Sequence, residues 1–115
     1  MLEQSERNGI VELRLAAPER LNALSDEMLA ALQDAFDRIG TSEARAVILS
    51  AEGKAFCAGH DLREMGRQGA ESIESQQARM RDVLRSCSTM MLQILHSPKA
   101  VIACVQGTAT AAGCQ

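Results

Sequence analysis

Apolar and polar residues alternate in the first part of the chain, which is the period of a β-strand with one buried face. The apolar positions of this run are Val11, Leu13 and Leu15. Asn8 and Gly9 precede it, and an Asn-Gly pair supplies the two positive-φ residues of a type I′ turn. The pattern therefore predicts a β-hairpin whose second strand ends before Pro18.

A helical period replaces the alternation after Ser25. This serine is placed to cap a helix, and Asp26 and Glu27 fall in the first turn, where the helix dipole favours anions. Gly40 fits a left-handed stop at the other end. The apolar residues at helical spacing are Met28, Leu29, Leu32, Ala35, Phe36 and Ile39. Together these signals predict the first helix.

A second, longer helix is predicted from about Ala70 to Leu95, with Pro98 fixing its end. The apolar residues that predict it are Ile73, Met80, Val83, Leu84, Cys87, Met91 and Ile94.

Two continuous apolar runs, "ARAVILS" at 44–50 and "AVIACV" at 100–105, predict strands that are buried on both faces. The order ββ-α-β-α-β predicts an α/β fold in which these two strands are parallel and joined by a crossover helix. Each of these two strands is followed by a loop of small residues. Ligands of such sheets sit outside the carboxyl ends of the strands, so the two loops are expected to meet at one site.

The second apolar run is followed by loop-like residues and leaves an apolar strand edge without a covering helix. Because a stable domain rarely exposes such an edge, we expect residues 1–115 to be the first part of a longer fold, or to need a partner for completion.

Composition removes several classes of function. The net charge is −3 and aromatic residues make up 2%, which disfavours binding to a nucleic-acid backbone or stacking on bases. The four cysteines form no C-x-x-C pair and the chain has two histidines, so no metal site is expected. The start lacks a basic segment followed by an apolar run, and no apolar segment reaches membrane-spanning length. We therefore expect no membrane association and a cytoplasmic location.

The two small-residue loops, "FCAGHD" and "GTATAAGCQ", lack the phosphate-loop and dinucleotide-binding glycine patterns. They also offer no Ser/His/Asp arrangement. What they do offer is unencumbered backbone N–H groups. Two such donors converging on one oxygen form an oxyanion hole, and the loss of one donor costs about 10²–10³ in rate.

The segments "AFCAGHDL" at 55–62 and "VQGTATAAGCQ" at 105–115 resemble the two signature segments of the enoyl-CoA hydratase/isomerase (crotonase) superfamily. "ERLNALS" at 19–25 is similar to the N-terminal acyl-CoA loop of that family, and "PKAVIACVQG" at 98–107 is similar to the strand before its second segment. The resemblance implies a spiral of ββα units, trimeric or hexameric assembly, and an acyl-CoA thioester as substrate. It implies no separate cofactor, because coenzyme A is part of the substrate. Residues 1–115 would be the acyl-CoA-binding core in the N-terminal part of this fold.

By the same resemblance, the backbone N–H groups of His60 and Ala112 would hold the thioester oxygen. Asp61 would mainly brace its loop. The residues that would line the coenzyme A channel are Arg20, Leu21, Ala23, Ala58, Asp61 and Leu62. Two interpretations of Arg20 stay open. Its side chain could bind a phosphate of coenzyme A, or it could be a lone solvated arginine. For His60 the backbone donor is expected to matter, and the alternative is a contact of its imidazole with the thioester.

Two departures from the family pattern bear on the reaction. Ala111, Ala112 and Gly113 replace a common glycine triplet, which keeps the N–H donors but makes a positive φ costly. Gln115 falls where hydratases carry the first of two catalytic glutamates, and an amide cannot deprotonate water. The main hypothesis is an enoyl-CoA hydratase-like enzyme that stabilises an enolate in fatty-acid metabolism. The alternatives are a non-catalytic or regulatory acyl-CoA-binding homologue, another reaction on the same scaffold, and an α/β domain without affinity for coenzyme A.

Overall fold

A computed structural model describes residues 1–66 and 68–115 of the chain. The strands are β1 (Leu2–Arg7), β2 (Ile10–Leu15), β3 (Ala46–Ala51), β4 (Ala55–Cys57), β5 (Ala100–Ala103) and β6 (Thr108–Ala109). The helices are α1 (Asp26–Gly40), α2 (Leu62–Met65) and α3 (Ile73–Leu95), with 3₁₀ turns at Pro18–Arg20 and Ala111–Cys114.

The larger sheet has the order β1-β2-β3-β5. Strand β1 is antiparallel to β2, whereas β2, β3 and β5 run parallel to one another. Val11, Val47 and Val101 lie side by side in this register and face the core. The predicted α/β class and the parallel pair joined through α3 are therefore confirmed.

The predicted hairpin is confirmed at its turn and on its buried face. Asn8 and Gly9 both have positive φ, at 53° and 77°, as a type I′ turn requires. Val11, Leu13 and Leu15 are at most 2% exposed.

Helix α1 begins as predicted, because the Ser25 hydroxyl accepts a hydrogen bond from the Met28 N–H at 3.1 Å. The six predicted apolar positions of α1 are all buried. The predicted left-handed stop at Gly40 is wrong. The helix continues through Gly40, and Thr41 caps it in the right-handed region at φ −100°. The chain then turns through Ser42, whose N–H donates to the Ile39 carbonyl at 3.1 Å.

The prediction that β3 and β5 are buried on both faces is also wrong. In β3 only Val47 is fully buried, and in β5 Ile102 is 54% exposed. The physical reason is that α1 and α3 cover one face of the sheet, while no described helix packs on the other face, which mixes polar and apolar side chains. On that uncovered face Glu12, Ile48 and Ile102 lie side by side, and the Ser50 hydroxyl donates to the Glu12 carboxylate at 2.6 Å. Strand β5 also forms an edge of the sheet.

Helix α3 buries a narrower stripe than its apolar pattern predicts. Val83, Cys87 and Met90 are buried, whereas Leu84 is 49% exposed and Ile73 is 61% exposed. Ser72 caps the helix, which begins three residues after the predicted start. The structure also contains three short elements that the sequence pattern did not predict, β4, β6 and α2. Each is too short to show a period of its own.

We expect Leu13→Ala to lower the free energy of unfolding by about 2–5 kcal/mol, because it opens a cavity at a fully buried position. Leu95→Ala is the matched control. Leu95 is 74% exposed, so its truncation should change the free energy of unfolding by less than about 0.5 kcal/mol. Chemical denaturation measures both, and equal effects would contradict the placement of the core.

Candidate functional site

The two small-residue loops run beside each other, because β4 pairs in parallel with β6. In this pairing Ala55 faces Thr108 and Cys57 faces Ala109. The pairing extends beyond β6, because the Thr110 N–H donates to the Cys57 carbonyl at 3.1 Å and its hydroxyl donates to the Ala58 carbonyl at 3.0 Å. The predicted meeting of the two loops at one end of the sheet is confirmed.

The small size of these residues is required by how closely the two backbones approach. Gly59 has φ 91°, and a Cβ placed on it would lie 3.0 Å from the Ala111 Cβ and 3.3 Å from the Ala112 nitrogen. A Cβ on Gly113 would overlap the Cys57 carbonyl oxygen. Only glycine fits at either position without moving main-chain atoms.

Hydrogen bonds to the N-terminal loop fix the direction of the His60 amide. The Leu24 N–H donates to the Gly59 carbonyl at 2.7 Å, and the Asp61 N–H donates to the Leu24 carbonyl at 3.1 Å. Successive residues of an extended segment point their N–H groups to opposite sides, so the His60 N–H points away from Leu24. Within residues 1–66 and 68–115, no acceptor meets the N–H of His60 or that of Ala112.

The cost of a positive φ in the alanine-containing segment falls on Ala111. This residue lies at φ 49°, in the left-handed region, whereas Ala112 and Gly113 do not. Ala112 follows in the first turn of the short 3₁₀ turn and is 9% exposed.

Asn22 is a site residue that sequence reasoning missed. Its side chain is fully buried, its φ is 51°, and its carbonyl oxygen accepts from the Ala17 N–H at 2.9 Å. Its amide nitrogen donates to the Glu52 carbonyl at 2.8 Å and to the Ala55 carbonyl at 2.9 Å. The available signal was the residue type, since Asn tolerates the left-handed region and bonds to nearby backbone. Asn22 thereby ties the N-terminal loop to the start of β4.

Arg20 and Asp61 form an ion pair between the N-terminal loop and the first small-residue loop. Asp61 is 5% exposed, and its other oxygen accepts from the Arg63 N–H at 2.9 Å, which caps α2. The Glu64 carboxylate lies 4.0 Å from the same guanidinium nitrogen of Arg20. Arg20 is therefore a paired, half-buried side chain, and the alternative of a lone solvated arginine is wrong.

The segment after α2 is held against α3 by Arg79. Its guanidinium donates to the carbonyls of Glu64 and Gly66 and pairs with the Glu71 carboxylate at 3.0 Å. The hydrogen bond from Arg79 lowers the pKa of Glu71 from 4.5 to about 2. A depressed carboxylate pKa stabilises the fold above pH 4.5, and this contribution is lost as the pH falls through about 2. The ion pair between Arg79 and Glu71 therefore persists at mildly acidic pH.

Two cavities flank His60. The first, which we call the channel cavity, has a volume of about 190 Å³ and is lined by Arg20, Ala23, Ala58, His60, Asp61, Leu62 and Arg63. The second, the α3 cavity, has a volume of about 420 Å³ and is lined by His60, Leu84, Cys87, Ser88, Met91, Leu92, Ala112 and Gln115.

The structure brings His60, Ala112 and Gln115, the predicted catalytic residues, together around the α3 cavity. It brings all the residues predicted to bind the coenzyme A part to the channel cavity except Leu21. Leu21 instead accepts the Ala58 N–H at its carbonyl oxygen, at 3.1 Å, and its side chain is 39% exposed. Arg63, Cys87 and Ser88 are lining residues that the sequence did not indicate.

The sequence profile of the enoyl-CoA hydratase/isomerase family matches residues 5–115. The chain belongs to this family. An enoyl-CoA hydratase from Mycobacterium smegmatis superposes with a TM-score of 0.87 at 45% identity over 98% of this chain and 42% of that one. Human enoyl-CoA hydratase domain-containing protein 3 superposes equally well, at 0.87, with 36% identity over 98% of this chain and 43% of that one. The predicted crotonase-like fold is confirmed for its N-terminal part.

Among curated relatives, the mitochondrial enoyl-CoA hydratase domain-containing protein 3 of Rattus norvegicus is 38% identical over 96% of this chain and 35% of its own length. A probable enoyl-CoA hydratase of Rhodobacter capsulatus is 38% identical over 91% of this chain and 38% of its own length. The chain thus spans a little over a third of the curated relatives that it matches.

The buried thiols of this crotonase-family chain are poorly suited to nucleophilic chemistry. Burial raises the pKa of the Cys57 thiol and that of the Cys87 thiol above the ordinary value of 9.0. Because the thiolate is the reactive form, both side chains act as small apolar groups near neutral pH. No cluster of three metal-ligating side chains is found in the described ranges. In the same ranges, no helix combines the length and the apolarity needed to cross a bilayer.

We expect Ala111→Gly to raise the free energy of unfolding by about 0.5–1 kcal/mol, because the relief of left-handed strain exceeds the added freedom of the unfolded chain. Ala112→Gly is the control. Ala112 has no positive φ, so its replacement should lower the free energy of unfolding by about 1 kcal/mol. Urea denaturation of both variants checks the contrast, and two effects of the same sign would contradict it.

Asn22→Ala should destabilise the protein by about 3 kcal/mol or more, since it leaves buried backbone groups without partners. Asn8→Ala provides a comparison at another left-handed asparagine, in the exposed hairpin turn. Asn8→Ala should lower the free energy of unfolding only by the cost of placing alanine in the left-handed region, about 1–2 kcal/mol. If thermal and chemical denaturation gave the two variants equal losses, the buried hydrogen bonds of Asn22 would carry no net stability.

Proposed function

We propose that the full-length protein binds an acyl-CoA thioester and stabilises its enolate with the backbone N–H groups of His60 and Ala112. The observation that carries the proposal is the pair of unpartnered amides on two loops in backbone contact. A Cβ placed on Gly59, the neighbour of His60, would lie 3.3 Å from the Ala112 nitrogen, and His60 and Ala112 both line the α3 cavity. Preorganised donors of this kind stabilise charge that develops on a thioester oxygen.

The channel cavity supports the assignment of the coenzyme A part. Its walls carry small residues, Ala23 and Ala58, which leave room for a narrow chain beside the backbone. Leu62 at this cavity is 80% exposed and offers an apolar surface. Arg63 supplies a guanidinium, whereas the charge of Arg20 is offset by Asp61. The Arg20–Asp61 pair therefore braces the loop in this proposal, and Arg63 is the better candidate for a phosphate.

Gln115 is the residue that bears on whether the protein catalyses hydration or only binds the thioester. Within the described residues, no Asp or Glu lines the α3 cavity, and Gln115 occupies its wall beside Ala112. An amide can orient a water molecule but cannot take its proton. This observation favours a second candidate, a non-catalytic or regulatory acyl-CoA-binding protein. Enzymatic activity would need a carboxylate from outside these residues, in the part of the fold that the matched relatives have in addition.

Hydration is tested with crotonoyl-CoA and the full-length protein, by following the loss of absorbance of the conjugated thioester. We expect Gln115→Glu to raise the hydration rate at least about 10-fold, because it supplies a general base. Gln77→Glu, an exposed position on α3, introduces the same charge change away from the cavities and should leave the rate unaltered.

The outcomes separate the two candidates. Binding of crotonoyl-CoA without hydration by either the wild-type protein or Gln115→Glu would support the non-catalytic candidate. Calorimetry that shows no binding of any CoA thioester would overturn the proposed function as a whole. Trimeric or hexameric assembly remains a prediction from the resemblance. The cytoplasmic location remains a prediction from the sequence, and the relatives named as domain-containing protein 3 are mitochondrial.

A further inference from the structure

His60 occupies the junction of the two cavities. It is the one described residue that lines both the channel cavity and the α3 cavity. Its residue surface is half-buried, yet its Nδ1 atom is shut off from solvent and has no hydrogen-bond partner within the described residues. A ring with one inaccessible nitrogen can reach a ligand only through the other one, Nε2.

The same burial decides which nitrogen carries the proton. In a neutral imidazole one ring nitrogen is a donor and the other an acceptor. A buried N–H without an acceptor is rarer in proteins than an under-satisfied acceptor. The proton is therefore placed on Nε2, and the side chain presents a donor at the junction. The same residue also carries one of the two backbone N–H groups of the proposed oxyanion hole.

The α3 cavity continues this neutral polar character. Ser88 and Gln115 line it, and their side chains make no hydrogen bond to the described parts of the chain. The remaining walls are apolar or thiol groups, at Leu84, Cys87, Met91, Leu92 and Ala112. Ser88 and Gln115 are exposed and can hydrogen-bond to water in the free protein. A plain alkyl ligand that displaced this water would leave their hydroxyl and amide groups without partners, which costs free energy.

We propose that the His60 side chain determines acyl specificity by donating a hydrogen bond from Nε2 to an oxygen carried by the acyl group close to the thioester. The preferred substrate class is then an oxygenated acyl thioester, in preference to one with an unsubstituted alkyl chain. This inference rests on the proposed binding of CoA thioesters. It adds a specificity role for the imidazole to the role of the His60 backbone.

The test compares two CoA thioesters that differ by one ketone oxygen, acetoacetyl-CoA and butyryl-CoA, by calorimetry on the full-length protein. We expect the wild-type protein to bind acetoacetyl-CoA about 5–10-fold more tightly, which is the range of one net hydrogen bond. His60→Leu should bring the ratio of the two dissociation constants close to one. His60→Gln restores a donor and should recover part of the preference.

Each outcome bears on one proposal. Equal affinities in the wild-type protein, or an undiminished preference in His60→Leu, would overturn the role of the imidazole and leave thioester binding intact. Binding of neither thioester by the wild-type protein would overturn both this inference and the proposed function. A preference that falls in His60→Leu and returns in His60→Gln would support the inference, since a merely structural role would change both affinities alike.

Discussion

Contact between the backbones of two strand exits is the constraint on which the rest of this structure depends. A side-chain carbon on Gly113 would overlap the Cys57 carbonyl, and one on Gly59, at φ 91°, would be crowded by Thr110, Ala111 and Ala112 of the opposite loop. This contact aligns β4 with β6 and brings the amides of His60 and Ala112 to one cavity. The loops contribute little side-chain volume to the core, since their function in the fold is to bring backbone to backbone.

Polar contacts of the N-terminal loop stabilise this arrangement of the two small-residue loops. Asn22 bonds to three backbone groups, and the Arg20–Asp61 pair joins the loop to the residues after Gly59. Leu24 adds two backbone hydrogen bonds to the same segment. Buried groups of this kind are worth most when all of them are satisfied. The position of the His60 amide is thus set by interactions that span nearly forty residues of sequence, from Asn22 to Asp61.

In the proposed function, the α3 cavity combines two backbone donors with a wall to which the described residues contribute no carboxylate. Donors fixed in place stabilise an oxyanion without reorganising, whereas proton transfer needs a group with a suitable pKa. Under the proposed function, the backbone N–H groups of His60 and Ala112 would meet the first of these two requirements. At Gln115 the described residues supply only an amide. Membership in the enoyl-CoA hydratase/isomerase family is therefore compatible with different chemical outcomes in the complete protein.

The sequence by itself determined the elements with a clear period and the loops with an unusual composition. The alternation at Val11, Leu13 and Leu15 and the cap at Ser25 each act through neighbours in the chain, so local pattern was enough to predict them. The small residues of the two loops were visible from composition alone, although the contact that requires them is tertiary. Three local resemblances also indicated the family, because each covers a short continuous segment.

Tertiary structure alone decided which apolar residues are covered and which polar residues meet. Ile102 and Leu84 fit a buried pattern, but Ile102 lies on an edge strand and Leu84 lines the open α3 cavity, so both are about half exposed. Gly40 continues its helix because the chain beyond it can turn in the right-handed region. The three hydrogen bonds of Asn22, the pairing of Arg20 with Asp61 and the place of His60 between two cavities join residues distant in sequence. Their partners are set by packing, and no periodicity records them.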